Sequence, residues 1–248
     1  MVRKRLITVL TVNNGVLFRT RNFIPDYRYT LNFVDAWSVD EVVLLDITRP
    51  GEGERSNFYN VVEYFARNCF VPLTVGGGVR TIEDFRTLFS VGADKVAVNT
   101  EAARRPEFIT EAAMRFGSQC VVVSVDAKLK GDGRYEVLTR FGIEPLRREP
   151  AQWARESQEC GAGEILLQSI DKDGTLEGYD NTLNRRVSEA VTIPVLVCSG
   201  AGSWKNFVDG FRLGGASAVC TTNIYHFTDT SIKSAKQYIH KAGIDVRI

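Results

Sequence analysis

Three carboxylates stand at or just beyond the ends of apolar, strand-like runs, where side chains are well placed to move protons. Asp126 closes the run VSVDAK, Asp46 closes LLDIT, and Asp173 lies beyond EILLQSI. The surroundings of a carboxylate set its pKa and so decide whether it acts as an acid or as a base. Asp126, Asp46 and Asp173 are therefore the candidate proton-transfer groups.

Two glycine-rich turns form a second kind of candidate site. Residues 76–78 read Gly-Gly-Gly and residues 199–202 read Ser-Gly-Ala-Gly, each between a strand-like run and a helical pattern. Such turns leave backbone amides uncovered beside a helix start, which suits an anion. One strand later each turn has a matching polar pair: Asn99-Thr100 and Thr222-Asn223. The matched sets favour two phosphate sites over plain tight turns, and they imply a substrate with a phosphate at each end.

Strand-like and helical patterns alternate along the chain. Runs rich in Val, Ile and Leu begin near Arg5, Glu41, Val71, Lys95, Gln119, Glu164, Pro194 and Ser217. Between them, apolar residues recur at intervals of three and four in segments that include 58–67, 82–90, 106–116, 151–159 and 229–240. Strands this apolar, alternating with helices, predict a parallel sheet covered by helices.

An internal repeat divides the chain into two similar halves. Residues 71–100 are echoed by residues 193–223, and Glu41 lies over Glu164 in the same alignment. Eight strand–helix units in 248 residues match the roughly 250 residues of a (β/α)8 barrel. Half-chain symmetry favours this closed barrel over an open, doubly wound sheet.

The repeat also predicts the domain organisation and one pairing at the barrel mouth. We expect a single domain over residues 1–248, built from half-barrels of about residues 1–118 and 119–248. By the same repeat, Asp126 should face Thr11 at the end of the first strand. Thr11 cannot ionise, so the predicted mouth has one acid where symmetry suggests two.

Charged residues occupy the first position or so of four strand-like runs: Arg5, Glu41, Lys95 and Glu164. In a closed barrel they would meet at the bottom opening, where two cations and two anions could form a neutral ring. Buried charges need partners, and the alternating signs supply them. The alternative is a plain stabilising role, since charged residues commonly start strands at wet ends and the bottom of a barrel usually serves stability.

The segment DKDGT at residues 171–175 closes the sixth strand-like run. It is either an ordinary Asp-Gly turn or a ligand-contacting loop, because it falls on the predicted active face. The sequence leaves both interpretations open.

Composition excludes several classes of protein. The chain is 44% hydrophobic and 25% charged with a formal net charge of +1, which gives no electrostatic case for a nucleic-acid or membrane partner. No stretch approaches the roughly 20 apolar residues of a membrane span. Five scattered cysteines predict reduced thiols in a cytoplasmic protein. No His, Cys or acid spacing predicts a metal, and no other cofactor is expected.

Motifs from Lys4 to Arg247 resemble those of the cyclase subunit of imidazole glycerol phosphate synthase. They read KRLITVL, VDEVVLLDIT, PLTVGGGVRTIEDF, GADKVAVNT, FGSQCVVVSVDAK, GAGEILLQSIDKDGT, GYD and HF. The resemblance implies a (β/α)8 barrel that receives ammonia from a glutaminase docked at its bottom face. The ammonia would travel along the barrel axis to a bisphosphorylated substrate at the top.

The resemblance also implies roles for individual residues. The ammonia gate of that cyclase subunit corresponds to Arg5, Glu41, Lys95 and Glu164. Asp94 matches an acid at the glutaminase interface, and Asp126 matches one of two catalytic aspartates. Gly78, Asn99 and Thr100 match the first phosphate site. The second phosphate site corresponds to Asp173, Gly174, Gly200, Thr222 and Asn223.

The departures from the family pattern concentrate at the mouth. Thr11, in VLTV, stands where the family has its other catalytic aspartate, and Arg19 replaces a nearby lysine with a group of the same charge but another shape. The segment IPDYRYTLNF is shorter than the family's and lacks its Gly-Asp-Pro turn. Substitutions of the family's small residues affect two further pairs: Cys198-Ser199 and Thr222-Asn223.

These departures favour a changed function. Cyclisation needs one carboxylate as acid and another as base, and losing one should remove most of the roughly 10²–10⁴-fold that such a group provides. We expect an ammonia-accepting barrel subunit in a sugar-amidation complex, as in cyclase-like relatives of surface-polysaccharide and nonulosonate pathways. Its partners would be a glutaminase, a sugar amidotransferase and a phosphorylated small molecule.

Two alternatives stay open. The chain could be a genuine cyclase of histidine synthesis whose missing acid is replaced by Asp46 or Asp173. It could also be a non-catalytic scaffold that only activates its glutaminase.

Overall fold

The strands form one sheet that closes on itself. The computed structural model describes residues 3–28, 39–221 and 232–247. Its strands are β1 (Arg5–Asn13), β2 (Val16–Arg21), β3 (Ile24–Arg28), β4 (Glu41–Asp46), β5 (Leu73–Gly76), β6 (Lys95–Val98), β7 (Val121–Leu129), β8 (Tyr135–Thr139), β9 (Glu144–Pro145), β10 (Glu164–Ser169), β11 (Val195–Cys198) and β12 (Ala218–Thr221).

Eight of these strands are parallel neighbours in the order β1-β4-β5-β6-β7-β10-β11-β12. Pairing of β12 with β1 completes the circle, with Ala218 beside Arg5. In the β7–β10 pairing, Asp126 lies beside Gln168. The predicted (β/α)8 barrel is therefore confirmed, and the open doubly wound sheet is wrong.

Helices connect the barrel strands: α1 (Arg55–Asn68), α2 (Ile82–Ser90), α3 (Thr100–Arg104), α4 (Glu107–Phe116), α5 (Pro150–Glu159), α6 (Asn181–Ala190), α7 (Trp204–Arg212) and α8 (Ile232–Lys241). Local signals start several of them. Thr81 and Asp84 form a capping box at α2, and Glu149 accepts two backbone N–H groups at the start of α5, where Pro150 follows. Such caps satisfy the amides that a helix start leaves without intrahelical partners.

Two antiparallel excursions, which the sequence patterns did not predict, extend from the mouth. The β2–β3 hairpin follows β1, and β8 and β9 follow β7. Both tips have bulky residues in the left-handed region, Phe23 at φ 63° and Phe141 at φ 62°. A Cβ added at Gly142 would lie 3.2 Å from Cδ2 of Phe23, so the two tips pack against each other.

The apolar core has two parts. The larger lies between the strands and the helices and contains most of the buried aromatic rings. The smaller lies inside the barrel, where alternate strand residues point inward: Ile7, Val9, Val43, Ala97, Val122, Leu166, Leu196, Ala218 and Cys220. These residues separate the bottom opening from the mouth.

Candidate functional site

A cavity of about 540 Å³ opens at the carboxyl ends of the barrel strands. It is lined by residues from the ends of β1, β4, β6, β7 and β10: Thr11, Asp46, Asn99, Asp126 and Gln168. Phe23 and Phe141, from the two hairpin tips, also contribute to its wall. The mouth of a (β/α)8 barrel is where its active sites are found.

Asp126 is held in one orientation by three side chains. Asn99 Nδ2 donates to Oδ2 of Asp126 at 2.7 Å. Oδ1 accepts from Ser124 Oγ at 3.1 Å and from Gln168 Nε2 at 3.1 Å. Because these donors come from β6's end, β7 and β10, barrel closure is what assembles the site.

Burial dominates the acidity of Asp126. It raises the pKa from 3.8 to about 6, although the hydrogen bonds from Ser124, Gln168 and Asn99 act to lower it, and Asp173 adds a small rise. Burial disfavours the charged form because the carboxylate loses its hydration. Asp126 is therefore largely ionised at neutral pH but close enough to neutrality to accept a proton.

Thr11 lines the same cavity but offers no acid. Its hydroxyl donates to the backbone carbonyl of Phe18 on β2. Arg19, at the position of the family's lysine, forms an ion pair with Asp26 on β3 and is not among the cavity residues. The β2–β3 hairpin therefore contacts the side chains of both Thr11 and Arg19.

The first predicted phosphate site lies beside an arginine that the sequence interpretation missed. Gly78 has φ +63°, and a Cβ added there would lie 2.2 Å from Nη1 of Arg55. Arg55 donates from Nη2 to the carbonyl of Gly77 at 2.9 Å, and its Nη1 lies 3.7 Å from Oδ2 of Asp46. The guanidinium is thus fixed at the edge of the glycine turn, where it can attract an anion.

The side chains of Asn99 and Thr100, which were predicted to donate hydrogen bonds to a phosphate, make hydrogen bonds within the protein. The Asn99 amide is committed to Asp126, and the Thr100 hydroxyl oxygen accepts from the backbone N–H of Arg140 at 3.2 Å. Cations lining the cavity supply further positive charge near this site: Arg49, Arg55, Arg80 and Arg140. An anionic ligand requires positive charge of this kind, and three segments of the chain provide it: β4 to α1, β5 to α2, and β8 to β9.

The residues predicted for the second phosphate site do not all lie at one place. Asp173 accepts from the backbone N–H of Phe23 at 3.0 Å, and a Cβ added at Gly174 would lie 2.6 Å from the carbonyl of Thr20. These two residues therefore support the β2–β3 hairpin and are not among the cavity residues. Burial raises the pKa of Asp173, against the hydrogen bonds from Phe23 and Thr20.

Gly200 lies with Ser199 at the end of β11. The carbonyl of Gly200 accepts from Gly178 N–H at 2.7 Å. Ser199 has φ 76°, and its buried hydroxyl has no hydrogen-bond partner among the described residues. Thr222 and Asn223, predicted for the same site, lie outside the described residues.

The four charged residues at the bottom opening form a closed ring. Arg5 contacts Glu41 and Glu164 at 2.8 Å each, and Lys95 contacts the same two acids at 3.0 and 2.9 Å. Thr74 Oγ1 adds a hydrogen bond of 2.7 Å to Glu41. Burial opposes the charge on Arg5, but Glu164 and Glu41 outweigh it, so the pKa of Arg5 is raised. The predicted meeting of these residues is an observed contact network.

Asp94 is exposed on the same face as the ring. Its Oδ2 accepts from the backbone N–H of Leu73 at 2.8 Å, while its own N–H donates to the Leu73 carbonyl at 2.8 Å. This reciprocal pair fixes the turn before β6 and leaves Asp94 at the protein surface.

Residues that sequence reasoning missed are mainly partners of predicted ones. Ser124 and Gln168 orient Asp126, Arg55 borders the glycine turn, and Thr74 supports the ring. The sequence did contain a signal, because side chains alternate between the two faces of a strand. Ser124 lies two residues before Asp126 and so shares its face, and Thr74 is paired with Lys95 on the neighbouring strand.

A comparison with known protein families identifies the family of this chain. A sequence profile described as histidine biosynthesis protein matches residues 8–231. The chain belongs to the histidine biosynthesis protein family. The match covers β2 to β12 and the last six residues of β1.

The described residues were also compared with the requirements of membrane-spanning helices and of metal sites. No helix within the described ranges has the length and apolar character needed to cross a bilayer. In those ranges, no group of three or more His, Cys, Asp or Glu side chains could hold a metal ion.

Proposed function

We propose that this chain is a barrel subunit that accepts ammonia from a glutaminase at its bottom face and passes it through the lumen to a nitrogen acceptor. The acceptor reaction would be amidation of a surface-polysaccharide or nonulosonate sugar, carried out with a sugar amidotransferase. The observation that carries the proposal is the closed Arg5–Glu41–Lys95–Glu164 ring combined with threonine at position 11.

The ring suits a gate because it is neutral overall and fully paired. Each acid contacts both cations, and the Glu41 side chain is only 1% exposed. Opening one contact leaves every charge with another partner, so a passage can form without stranding a buried ion. Glu164 and Lys95 would move least if Arg5 swung outward, because they remain bonded to each other.

The apolar lumen above the ring favours neutral ammonia over ammonium. An ion entering this region would lose hydration without gaining a charged partner, which is strongly unfavourable. Ile7, Val43 and Val122 are each fully buried along this path. Ammonia reaching the mouth would meet Asp126, whose carboxylate can accept a proton from an attacking amine nitrogen.

The mouth supports delivery of nitrogen better than cyclisation. Asp126 is paired with amide and hydroxyl donors, and the position opposite holds Thr11, whose hydroxyl is bonded to Phe18. An acid–base pair is thus replaced by a single base. Arg55 and the Gly77–Gly78 turn would hold the anionic part of a phosphorylated ligand.

The test compares two nitrogen sources in the assembled complex of barrel, glutaminase and sugar amidotransferase. Arg5→Ala and Glu164→Ala should reduce glutamine-driven amidation at least tenfold and leave amidation driven by added ammonium salt nearly unchanged. Arg67→Ala, which breaks an exposed pair with Glu63 on α1, is the matched control. Unchanged glutamine-driven amidation in the ring variants would refute the proposal. Glutaminase stimulation with no ammonia reaching any acceptor would favour the scaffold hypothesis instead.

A second candidate, a genuine cyclase of histidine synthesis, is favoured by one observation. Asp46 lines the cavity, and its side chain is only 7% exposed beside Arg55, whereas Asp173 is used by the hairpin. Asp46 is therefore the better candidate for a substitute acid. Restoration of growth in a cyclase-deficient histidine auxotroph by the wild type, and not by Asp46→Asn, would support this candidate.

A further inference from the structure

Two cysteines face each other across neighbouring strands inside the barrel. In the β11–β12 pairing Val197 lies beside Val219, which makes Cys198 and Cys220 the next pair. Cys220 belongs to the inner apolar cluster and Cys198 packs against it, and the two thiols are close enough for Cys198 to raise the pKa of Cys220. Neither residue has a role in the charged ring or in holding Asp126.

The cysteine pair lies between the residues of the mouth and the charged ring at the bottom opening. Cys198 is half-buried and lies beside Gln168 in the β10–β11 register. Cys220 is fully buried and lies close enough to Glu41 and Arg5 to sense their charges. Burial, and then the contact with Cys198, raises the pKa of Cys220 well above its ordinary value. Cys220 is therefore a protonated thiol, and Cys198 is the sulfur that a small reagent meets first.

We propose that Cys198 and Cys220 form a redox-active thiol pair that a hydroperoxide converts into a disulfide in the lumen wall. The Cys198 thiolate attacks the peroxide, so that a sulfur–oxygen bond forms, the oxygen–oxygen bond breaks, and the leaving oxygen takes a proton to become water. The Cys220 sulfur then displaces hydroxide from the Cys198 sulfenic acid, and its proton completes a second water. Two thiols lose two electrons in total, and one peroxide gains them.

The strand geometry allows this bond. Neighbouring strands lie about 4.7–4.9 Å apart, and disulfides usually join Cα atoms about 4.4–6.8 Å apart. Two inward-facing cysteines in direct register therefore fall inside the accessible range without a change in strand pairing. The other three cysteines, Cys69, Cys120 and Cys160, are also free thiols, and they lie at the opposite, helix-to-strand side of the barrel.

The consequence for nitrogen transfer rests on the proposed function. A disulfide here would tie β11 to β12 between the charged ring and Asp126, and it would remove two S–H groups from the lumen wall. We expect oxidation to lower glutamine-driven amidation several-fold while ammonium-driven amidation changes little. Formation of the disulfide itself does not depend on any partner.

The experiment treats the wild-type full-length chain with increasing hydrogen peroxide, alkylates the remaining thiols after unfolding, and maps peptides without reduction. The expected result is a Cys198–Cys220 linked peptide that dithiothreitol reverses, with Cys69, Cys120 and Cys160 still alkylated. Cys220→Ser should divert Cys198 to a sulfinic acid or a mixed disulfide. Cys198→Ser should leave Cys220 alkylatable, because it is buried.

Two results would overturn the thiol pair. One is wild-type Cys198 oxidised to a sulfinic acid without linkage, and the other is both cysteines remaining reduced at peroxide concentrations that oxidise the other three. A disulfide that forms without changing glutamine-driven amidation would support the thiol pair and count against the lumen route for ammonia.

Discussion

The side-chain amide of Asn99 donates a hydrogen bond of 2.7 Å to Oδ2 of Asp126. Asn99, which was predicted to bind phosphate, thus contacts the carboxylate of Asp126. With Ser124 and Gln168 on the other oxygen, Asp126 is fixed toward the cavity as an isolated buried acid. This arrangement has consequences for stability as well as for chemistry.

Asp126 should reduce stability as the pH rises. Its pKa is about 6 in the folded chain against 3.8 ordinarily, so the folded state holds the proton more tightly. The protonated carboxyl stabilises the fold below about pH 4, and that contribution, roughly 3 kcal/mol, is lost as the pH rises toward and through 6. Free energies of unfolding from urea titrations between pH 5 and pH 8 measure about 1 kcal/mol of this change.

Asp126→Asn is the comparison for that pH dependence. The variant lacks the ionisable group, so its stability relative to the wild type should increase from pH 5 to pH 8. The slope is the readout, because the new amide also changes the hydrogen bonds with Asn99. Parallel stability curves for the two proteins would show that the pKa of Asp126 is not raised.

Breaking the charged ring should destabilise the fold strongly. Glu41→Gln leaves Arg5 and Lys95 sharing Glu164 alone, and removing one partner of a buried ion pair typically destabilises by about 3–5 kcal/mol. Glu63→Gln removes an exposed acid paired with Arg67 and should change stability by less than about 1 kcal/mol. Urea unfolding at neutral pH measures both, and equal effects would mean that the ring is effectively solvated.

Thr11→Asp tests whether the residue at position 11 accounts for a loss of cyclase activity. We expect the wild type to show little ammonia-driven turnover of the cyclase substrate, the bisphosphorylated ribulosyl-formimino carboxamide nucleotide. Thr11→Asp should raise that turnover by roughly 10²-fold, since it restores a second carboxylate at the mouth. Thr11→Asn, which has nearly the same shape as the introduced aspartate but cannot ionise, is the control and should show no gain. Clear wild-type turnover would instead identify a cyclase with another acid.

Gly78→Ala should weaken anion binding at the first phosphate site. Its added Cβ would lie 2.2 Å from Nη1 of Arg55, so the guanidinium would have to move. Gly51 also has a positive φ, at +86°, but nothing lies within 4 Å of an added Cβ. Both alanine variants should lose about 1–2 kcal/mol of stability from the backbone.

Calorimetric titration with inorganic phosphate separates the two variants. Loss of one charge-assisted hydrogen bond should weaken binding about tenfold in Gly78→Ala, and Gly51→Ala should bind like the wild type. Equal phosphate affinity in the two variants would remove Arg55 and its glycine turn from the anion site.

Sequence patterns predicted the barrel and identified the four residues that could form its bottom ring, and the family resemblance favoured that ring. Strands begin at Arg5, Glu41, Lys95 and Glu164 as predicted, because apolar strand runs and helical periodicity are local signals that the fold does not override. Alternation of strands and helices then leaves few ways to arrange a parallel sheet. Charges at matching strand starts had to meet once the sheet closed.

The hairpin tips and the hydrogen-bond partners at the mouth were decided by tertiary structure. The turn between β1 and β2 has a local signal, Asn14-Gly15, with both residues at positive φ. The tip residues Phe23 and Phe141 are left-handed without an Asn-Gly or Asp-Gly signal. Gln168 and Asn99 are 42 and 27 residues from Asp126 in the chain. Sequence defines which side chains can donate a hydrogen bond, but only closure of the barrel brings particular donors to one carboxylate and excludes water from it.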